Sequence, residues 1–355
     1  MAMNLAAKYS NKVDERFFRE SQALMGTNKD YDWSGVNTVK VYQIDTVPLV
    51  DYKRSGANRY GEPTELGNRI QEMTLTQDKA FNFTIDKGNK NESMMVMDAG
   101  KSLAREQREV LIPYVDTYIF NKQATAAIAN EQVDYEAASS TTAYAKFLKA
   151  NEVLGNKNVP DVGRIAYCSY GFANFLMLDP AFIKYGDKSQ EMVAKGVLGE
   201  VDGLKIVKVP ASRLPIGCSF MIVHPQATVA PETLKEYKTH QDPPGLSGWL
   251  VEGRIIFDAF ILDAKKDCIY LGMCNGTLGN LIVSTDDDNK IVVENEANLA
   301  GGYDLYVKTG TALPDFGAKL TGYTKVDDST TVTANSIVAA SYDGSTIFAA
   351  GLITV

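Results

Sequence analysis

The chain has 355 residues, of which 45% are hydrophobic, and it carries 36 Lys and Arg against 44 Asp and Glu. Its length and composition predict a folded protein with more than one domain-sized unit, and argue against disordered and fibrous classes. The net charge of −8 argues against binding nucleic acid by neutralising phosphates. Four cysteines without a C-x-x-C pair indicate reduced, buried thiols. We find no signal peptide or membrane-span pattern and expect a cytoplasmic product.

The first 92 residues predict an arm followed by extended strands. Phe17 and Phe18 lie in an amphipathic stretch that ends in turn residues, which is typical of an arm. Val39 and Val41 then alternate with polar residues, and the same period of two returns at 81–85. These alternations predict strands.

A polar, glycine-containing stretch at 51–72 separates the predicted strands. A two-stranded hairpin of this kind is not stable alone, so we expect it to lie across a neighbouring subunit. Its charged side chains are the candidate contacts between subunits: Lys53, Arg54, Arg59, Glu62, Glu65, Arg69 and Glu72.

The strongest periodic pattern starts after Ser93, a residue type that favours helix N-caps. Apolar residues such as Leu103 and Val110 recur at seven-residue spacing, and the pattern continues to Asn130. It predicts one helix on the order of 50 Å long, kinked at Pro113.

Helical and extended patterns alternate after residue 140, which predicts an α+β unit. The pattern predicts an extended segment at 165–168, and apolar runs predict buried strands at 204–209 and 220–223. A strand pair is predicted at 254–262 and 268–271, with a hairpin turn at 263–267.

The C-terminal residues 276–355 differ from the rest of the chain in charge and composition. They hold four Lys against ten Asp and Glu, a net charge of −6, which leaves −2 for residues 1–275. They are rich in Thr, Gly and Ala and contain short apolar runs. We predict a small, acidic, all-β module that hangs from the body near Asn275 and faces solvent.

No motif supports a catalytic, metal or cofactor site. Residues 100–102, Gly-Lys-Ser, match the end of a phosphate-binding loop, but they lie inside the predicted helix and lack the upstream glycine. Neither His224 nor His240 has metal-ligand spacing, and Cys218 has no orienting carboxylate near its histidine neighbour. The acidic run 286–289 departs from the calcium-loop pattern. We therefore predict a protein that is not an enzyme and needs no cofactor or metal.

Two segments carry a packing pattern without catalytic residues. The first is GVLGEVDGLKIVKVP from Gly196 to Pro210, followed by Arg-Leu-Pro at 213–215, and the second is GRIIFDAFILDAKKDCIY from Gly253 to Tyr270. Both resemble segments of tailed-phage major capsid proteins with the Hong Kong 97 fold. The order of arm, charged hairpin, long helix, α+β domain and strand pair is also similar to that family.

The resemblance implies an α+β, Hong Kong 97-type fold over about three quarters of the chain. Its implied parts are an N-terminal arm at 1–36, an extended loop at 37–92, a peripheral domain at 93–130 and 246–275, and an axial domain at 131–245. Residues 276–355 are an appended all-β module, which we predict to be immunoglobulin-like and, because of its charge, to lie outside the shell.

The implied function is that of a structural virion capsid protein assembled in the bacterial host cytoplasm. Its copies would form the hexamers and pentamers of an icosahedral shell around double-stranded DNA, without sequence-specific contact. The implied partners are further copies, a separate scaffolding protein and a portal protein, with no membrane. Two alternatives stay open: an encapsulin-type nanocompartment shell, and a β-rich surface adhesin or carbohydrate-binding protein.

Overall fold

The computed structural model describes residues 21–31, 38–88, 99–184, 199–332 and 335–353. Most of the predicted arm, the N-cap at Ser93 and residues 196–198 of the first signature segment lie outside these ranges. The helices are α1 Ala99–Glu106, α2 Ile112–Ala129, α3 Ala143–Asn156, α4 Tyr170–Leu178 and α5 Pro180–Lys184.

The strands are β1 Thr38–Ile44, β2 Asn68–Thr74, β3 Gln77–Asp86, β4 Val133–Asp134, β5 Ile165–Ser169, β6 Glu200–Val201, β7 Leu204–Val209, β8 Phe220–Val223, β9 Thr228–Val229, β10 Glu232–Gln241, β11 Gly248–Phe257, β12 Phe260–Ile261, β13 Ile269–Gly272, β14 Gly279–Asn280, β15 Val283–Thr285, β16 Ile291–Val293, β17 Asp304–Thr309, β18 Thr324–Lys325, β19 Ser336–Ser341 and β20 Ala349–Ile353.

A six-stranded sheet lies at the centre of the body, in the order β4-β13-β8-β5-β7-β6. Every residue of β5, β8 and β13 is buried because helices cover both faces. Tyr167 and Met221 face the core that contains α2, whereas Cys168 and Phe220 face the core that contains α3 and α4. Strands covered on both faces are apolar throughout, which is why they stand out in the sequence as uninterrupted runs. The strands predicted at 165–168, 204–209 and 220–223 are present as β5, β7 and β8, but β7 is only partly buried and exposes Lys205.

The predicted long helix is present from residue 99 to residue 129 within the described ranges. A π-helical turn, Gln107–Leu111, joins α1 to α2 without a break. Pro113 follows directly, and it has no N–H to offer the carbonyl of Glu109. The wider π turn accommodates this missing hydrogen bond. The helix thus has a π turn just before Pro113, where the sequence predicts a kink.

The strand pair predicted at 254–262 and 268–271 is wrong, because the two segments belong to different sheets. β11 is the middle strand of the sheet β10-β11-β3, while β13 lies between β4 and β8. Since β10 and β3 occupy both edges of β11, no edge is left for β13. The predicted hairpin turn is a 3-10 segment, Asp263–Cys268, that connects the two sheets.

The C-terminal residues form a five-stranded sheet, β14-β20-β19-β17-β18, and a small hairpin, β15-β16. The prediction that this module hangs freely from the body is wrong. Ala300 is fully buried in the core that contains α2, and the carbonyl of Asn298 accepts a hydrogen bond from the N–H of Ile216 at 2.9 Å. The rings of Tyr135 and Phe348 also pack together, with centroids 4.9 Å apart. The module is therefore docked on the body.

A buried ion pair ties the described N-terminal segment to the long helix. Asp116 on α2 is fully buried, and its Oδ2 lies 2.8 Å from Nη1 of Arg213, which is also buried. The same carboxylate accepts hydrogen bonds from the hydroxyl of Ser21 and from the N–H groups of Gln22 and Ala23. A buried charge is tolerated because it is both paired and hydrogen-bonded in this way.

We expect Asp116→Ala to lower the free energy of unfolding by about 3 to 5 kcal/mol, because it breaks the buried ion pair with Arg213 and removes the acceptor of the hydrogen bonds from Ser21, Gln22 and Ala23. Asp304→Ala is the control, since it removes a carboxylate from an exposed pair with Lys325 and should change stability little. Denaturant titrations of both variants measure the difference. Equal losses in the two variants would contradict the role of Asp116 as an anchor.

Candidate assembly surface

β1 and β2 form an antiparallel hairpin in which Thr38 lies opposite Thr74 and Ile44 lies opposite Asn68. Residues 45–67 join the two strands, and all of residues 46–60 and 62–67 are exposed. The hairpin thus has a root that contacts the body and a long connection that contacts mainly solvent.

The inner face of the hairpin root packs on β9 and on the segment after β11. Met73 is fully buried beside Val229 and Leu262. The Gln71 side chain donates through Nε2 to the carbonyl of Ile261 at 2.8 Å and accepts at Oε1 from the N–H of Asp263 at 3.0 Å. The root is therefore held by the burial of Met73 and by two hydrogen bonds of the Gln71 side-chain amide.

A single carboxylate joins this root to the long helix. Asp258 follows β11 and is 2% exposed. Its Oδ2 accepts from the N–H and the hydroxyl of Thr76 at 2.8 and 2.7 Å, and its Oδ1 accepts from the Tyr118 hydroxyl and the Ala259 N–H at 2.7 Å each. Burial, and then the hydrogen bond to Asp258, raise the pKa of Tyr118 above its usual value, so the phenol remains a donor.

Two of the seven predicted contact residues pair within the hairpin itself. Glu72 lies 2.5 Å from Lys40 on the opposite strand, and this hydrogen bond raises the pKa of the lysine. Arg69 lies 3.2 Å from Asp45. Both pairs are solvent-exposed and bridge the two sides of the hairpin.

The other five predicted residues lie in the exposed connection, and within the described part of the chain they form no ion pair: Lys53, Arg54, Arg59, Glu62 and Glu65. Arg59 Nε donates to the carbonyl of Gly56 at 3.3 Å, and its own carbonyl accepts from the N–H of Lys53 at 2.9 Å. The structure therefore does not bring the seven residues into one cluster. It leaves five of them exposed.

The sequence reasoning missed the apolar side chains of this hairpin. Tyr42 and Ile70 lie opposite each other on its outer face, 65% and 50% exposed. Leu49 is completely exposed and Tyr60 is 84% exposed, although the latter ring contacts Tyr52. The run Val-Pro-Leu-Val at 47–50 was the available signal. Several exposed apolar side chains thus lie on one hairpin, which makes it a candidate contact surface.

The motifs that the sequence analysis weighed as catalytic or metal sites do not form such a site among the described residues. Residues 100–102 lie within the helical turns of α1. Burial raises the pKa of the Cys218 thiol, which disfavours the nucleophilic thiolate, and burial lowers the pKa of His224. In the described residues we find no group of three His, Cys, Asp or Glu side chains arranged around a common metal position. No helix in those ranges has the length and hydropathy needed to cross a membrane.

Comparisons with known proteins identify a shared fold. No protein-family model matches the chain, and no curated protein sequence matches it significantly. A solved structure from Mycobacterium phage Che8 matches with a TM-score of 0.62 and 16% identity, over 75% of this chain and 96% of that chain. The capsid structure of cyanophage P-SCSP1u matches with a TM-score of 0.56 and 14% identity, over 75% and 92% of the two chains.

The mature capsid of bacteriophage PhiM1 matches with a TM-score of 0.57 and 13% identity, over 75% of this chain and 91% of that one. At such identities the likeness shows the fold. The chain therefore has the α+β fold of phage capsid structures, and the resemblance in its sequence is confirmed at that level.

We expect Asp258→Asn to lower the free energy of unfolding by about 1 to 3 kcal/mol, because the new amide NH₂ faces a donor on one side. Amide hydrogen exchange in β1 and β2 should become faster than in the wild type. Asp78→Asn is the matched control, since Asp78 pairs with Arg254 on an exposed sheet surface. Hairpin exchange that stays at the wild-type rate in Asp258→Asn would show that another contact holds the root.

Proposed function

We propose that this protein is the major capsid protein of a tailed bacteriophage, a structural protein without catalytic activity. Its copies would form hexamers and pentamers of an icosahedral shell around double-stranded DNA. The observation that carries the proposal is the hairpin, which exposes apolar side chains and leaves five charged side chains without an ion pair among the described residues. The phage capsid fold of the solved neighbours supports the same function.

The proposed fold is of the Hong Kong 97 type, with the arm at 1–36, the extended loop at 37–92 and the axial domain at 131–245. The strand pairings suggest one adjustment to these bounds. β3 and β10 pair along the length of β11, so we assign both strands to the peripheral domain with 93–130 and 246–275. The immunoglobulin-like assignment of residues 276–355 stays a prediction.

The proposed assembly takes place in the cytoplasm of the bacterial host and yields the virion capsid. A separate scaffolding protein and a portal protein are the proposed partners besides further copies. The acidic composition suits a shell that is filled with DNA by a motor, because such a shell need not neutralise its contents.

The proposal is tested by expressing the full chain with and without the scaffolding protein of the same genome. Sedimentation velocity should show particles of megadalton mass, and negative-stain electron microscopy should show closed shells. Only monomers and dimers under both conditions would contradict the proposal. Particles from the native source that contain an enzyme instead of nuclease-protected DNA would support the encapsulin alternative.

We expect the double variant Arg54→Glu and Arg59→Glu to remain folded but to assemble poorly, because both cations lie in the exposed connection and neither has an acidic partner among the residues that the structure describes. Lys149→Glu with Lys205→Glu makes the same change of net charge on exposed residues of the axial domain. Circular dichroism checks folding, and sedimentation measures the assembled fraction. If both double variants assemble like the wild type, the hairpin charges are not assembly contacts.

A further inference from the structure

A buried histidine lies against the loop that joins α3 to β5. His224 follows β8 and is 7% exposed. The strand registers place Arg164, just before β5, on one side of it and Cys268, just before β13, on the other. The N–H of His224 donates to the carbonyl of Cys268 at 3.0 Å. The position of the imidazole between the loop and the 3-10 segment Asp263–Cys268 is therefore fixed by the sheet.

The imidazole ring has a different hydrogen-bonding role at each nitrogen. Nδ1 accepts from the N–H of Gln226 at 3.3 Å. Nε2 faces the loop, since a Cβ on Gly163 would lie 3.9 Å from it, and the carbonyl of Val162 acts as an acceptor for the ring. An imidazole that accepts at one nitrogen and donates at the other is neutral. The observed contact therefore requires the uncharged ring.

The tip of the loop, residues 160–163, has few other attachments. The guanidinium of Arg164 donates to the carbonyls of Val159 and Pro160 and pairs with Asp161 at 2.8 Å. Within the described part of the chain, the N–H groups of 161–163 donate no backbone hydrogen bond. Val162 at the tip is 87% exposed. Two basic side chains, Arg164 and His224, therefore hold the tip to the body.

The surroundings of the ring disfavour a positive charge. Burial is the largest cause that lowers the pKa of His224, and the cations of Arg164 and Lys265 lower it further. The acceptor at Val162 acts in the opposite direction but does not outweigh them. The ring therefore lies between two cations, one of them almost completely buried.

The other titratable groups of the loop and the 3-10 segment supply no free counter-charge among the described residues. Asp161 pairs with Arg164, and Asp267 pairs with Lys157 at 2.8 Å. Burial raises the pKa of the Cys268 thiol, which keeps it neutral. The side chains that remain are exposed at the surface of the 3-10 segment, and they are Asp263 and Lys266.

We propose that His224 is an acid-sensitive contact, whose protonation releases the loop tip at 160–163 from the body. A protonated ring carries N–H at both nitrogens, so Nδ1 then opposes the N–H of Gln226. Because the closed contact lowers the pKa of the ring, it binds fewer protons than the open loop below the ordinary value of 6.5, and it weakens as the pH falls through that range. The contact lies within one copy, so the inference does not depend on the proposed function.

Amide hydrogen exchange in the full chain tests this release. The N–H of Val159 donates to the carbonyl of Leu154, and the N–H of Gln226 donates to the ring itself, so the two groups report on both sides of the contact. Exchange is measured at residue resolution at about pH 7.5 and about pH 5.5, on either side of the histidine range, and corrected for the intrinsic rate. We expect protection at both groups to fall several-fold in acid. Equal protection at the two pH values overturns the inference.

A matched pair of variants separates this ring from other acid effects, because His224 and His240 are the only histidines of the chain. His224→Asn keeps an acceptor for the N–H of Gln226 and cannot gain a proton, so its protection should be equal at both pH values. His240→Asn removes the exposed histidine that lies beside Glu252 and should respond like the wild type. An acid response that persists in His224→Asn contradicts the inference.

A direct titration of the wild type keeps the test independent of how well His224→Asn folds. Isotope-labelled histidine gives two ring signals, which are assigned by comparison with His240→Asn. We expect the signal of His224 to titrate with a midpoint below 6.5, and the amide shifts of 161–163 to follow the same midpoint. A midpoint at or above that value, or loop shifts that do not follow it, would show that this ring does not control the loop.

Discussion

The carboxylate of Asp258 is the point at which the hairpin, the long helix and the three-stranded sheet meet. It accepts three hydrogen bonds from two distant segments, at Thr76 and Tyr118, and a fourth from the N–H of the next residue, and it is almost completely buried. A buried carboxylate is stable only when its acceptor sites are used, so the three segments must be in place together. This constraint fixes the direction in which the hairpin leaves the body. The buried pair of Asp116 and Arg213 fixes the root of the N-terminal segment in the same way.

In the proposed interface, the apolar side chains of the hairpin contribute more binding energy than its charged side chains. In general an exposed ion pair contributes about 0 to 1 kcal/mol, whereas full burial of a leucine-sized side chain contributes about 1.5 to 3 kcal/mol. More binding energy is therefore available from the exposed apolar side chains of this segment than from its charges. These side chains are Tyr42, Leu49, Tyr60 and Ile70. The charges would then select orientation and partner, which is the usual role of complementary potentials.

Local features of the fold could be predicted because their causes are local. Strands buried on both faces are apolar without interruption, the long helix has a seven-residue period, and the hairpin lies between alternating strands. The partners of these elements could not be predicted in the same way. Nothing in the period of β11 shows that β3 and β10 occupy its edges, and nothing in a small residue such as Ala300 shows that it fills a core.

The role of the seven charged residues as contacts between subunits stays a prediction, and the structure shows only where their side chains lie. Five of the seven charged residues lie in the exposed connection, whereas Arg69 and Glu72 lie on β2 and pair within the hairpin. Whether a charged residue finds a partner depends on the register of the two strands, which periodicity alone does not give. The docking of the C-terminal module depends on hydrogen bonds of the Ala297 carbonyl and the Gly301 N–H, which the amino-acid composition does not indicate.

The central claim is that the hairpin is an intermolecular element of a closed shell. An electron cryomicroscopy map of the assembled particle tests it most directly, because it shows the path of residues 38–74 in every copy. We predict closed icosahedral particles in which residues 45–67 lie against another copy. Particles in which these residues fold back on their own subunit, or the absence of any closed particle, would contradict the account.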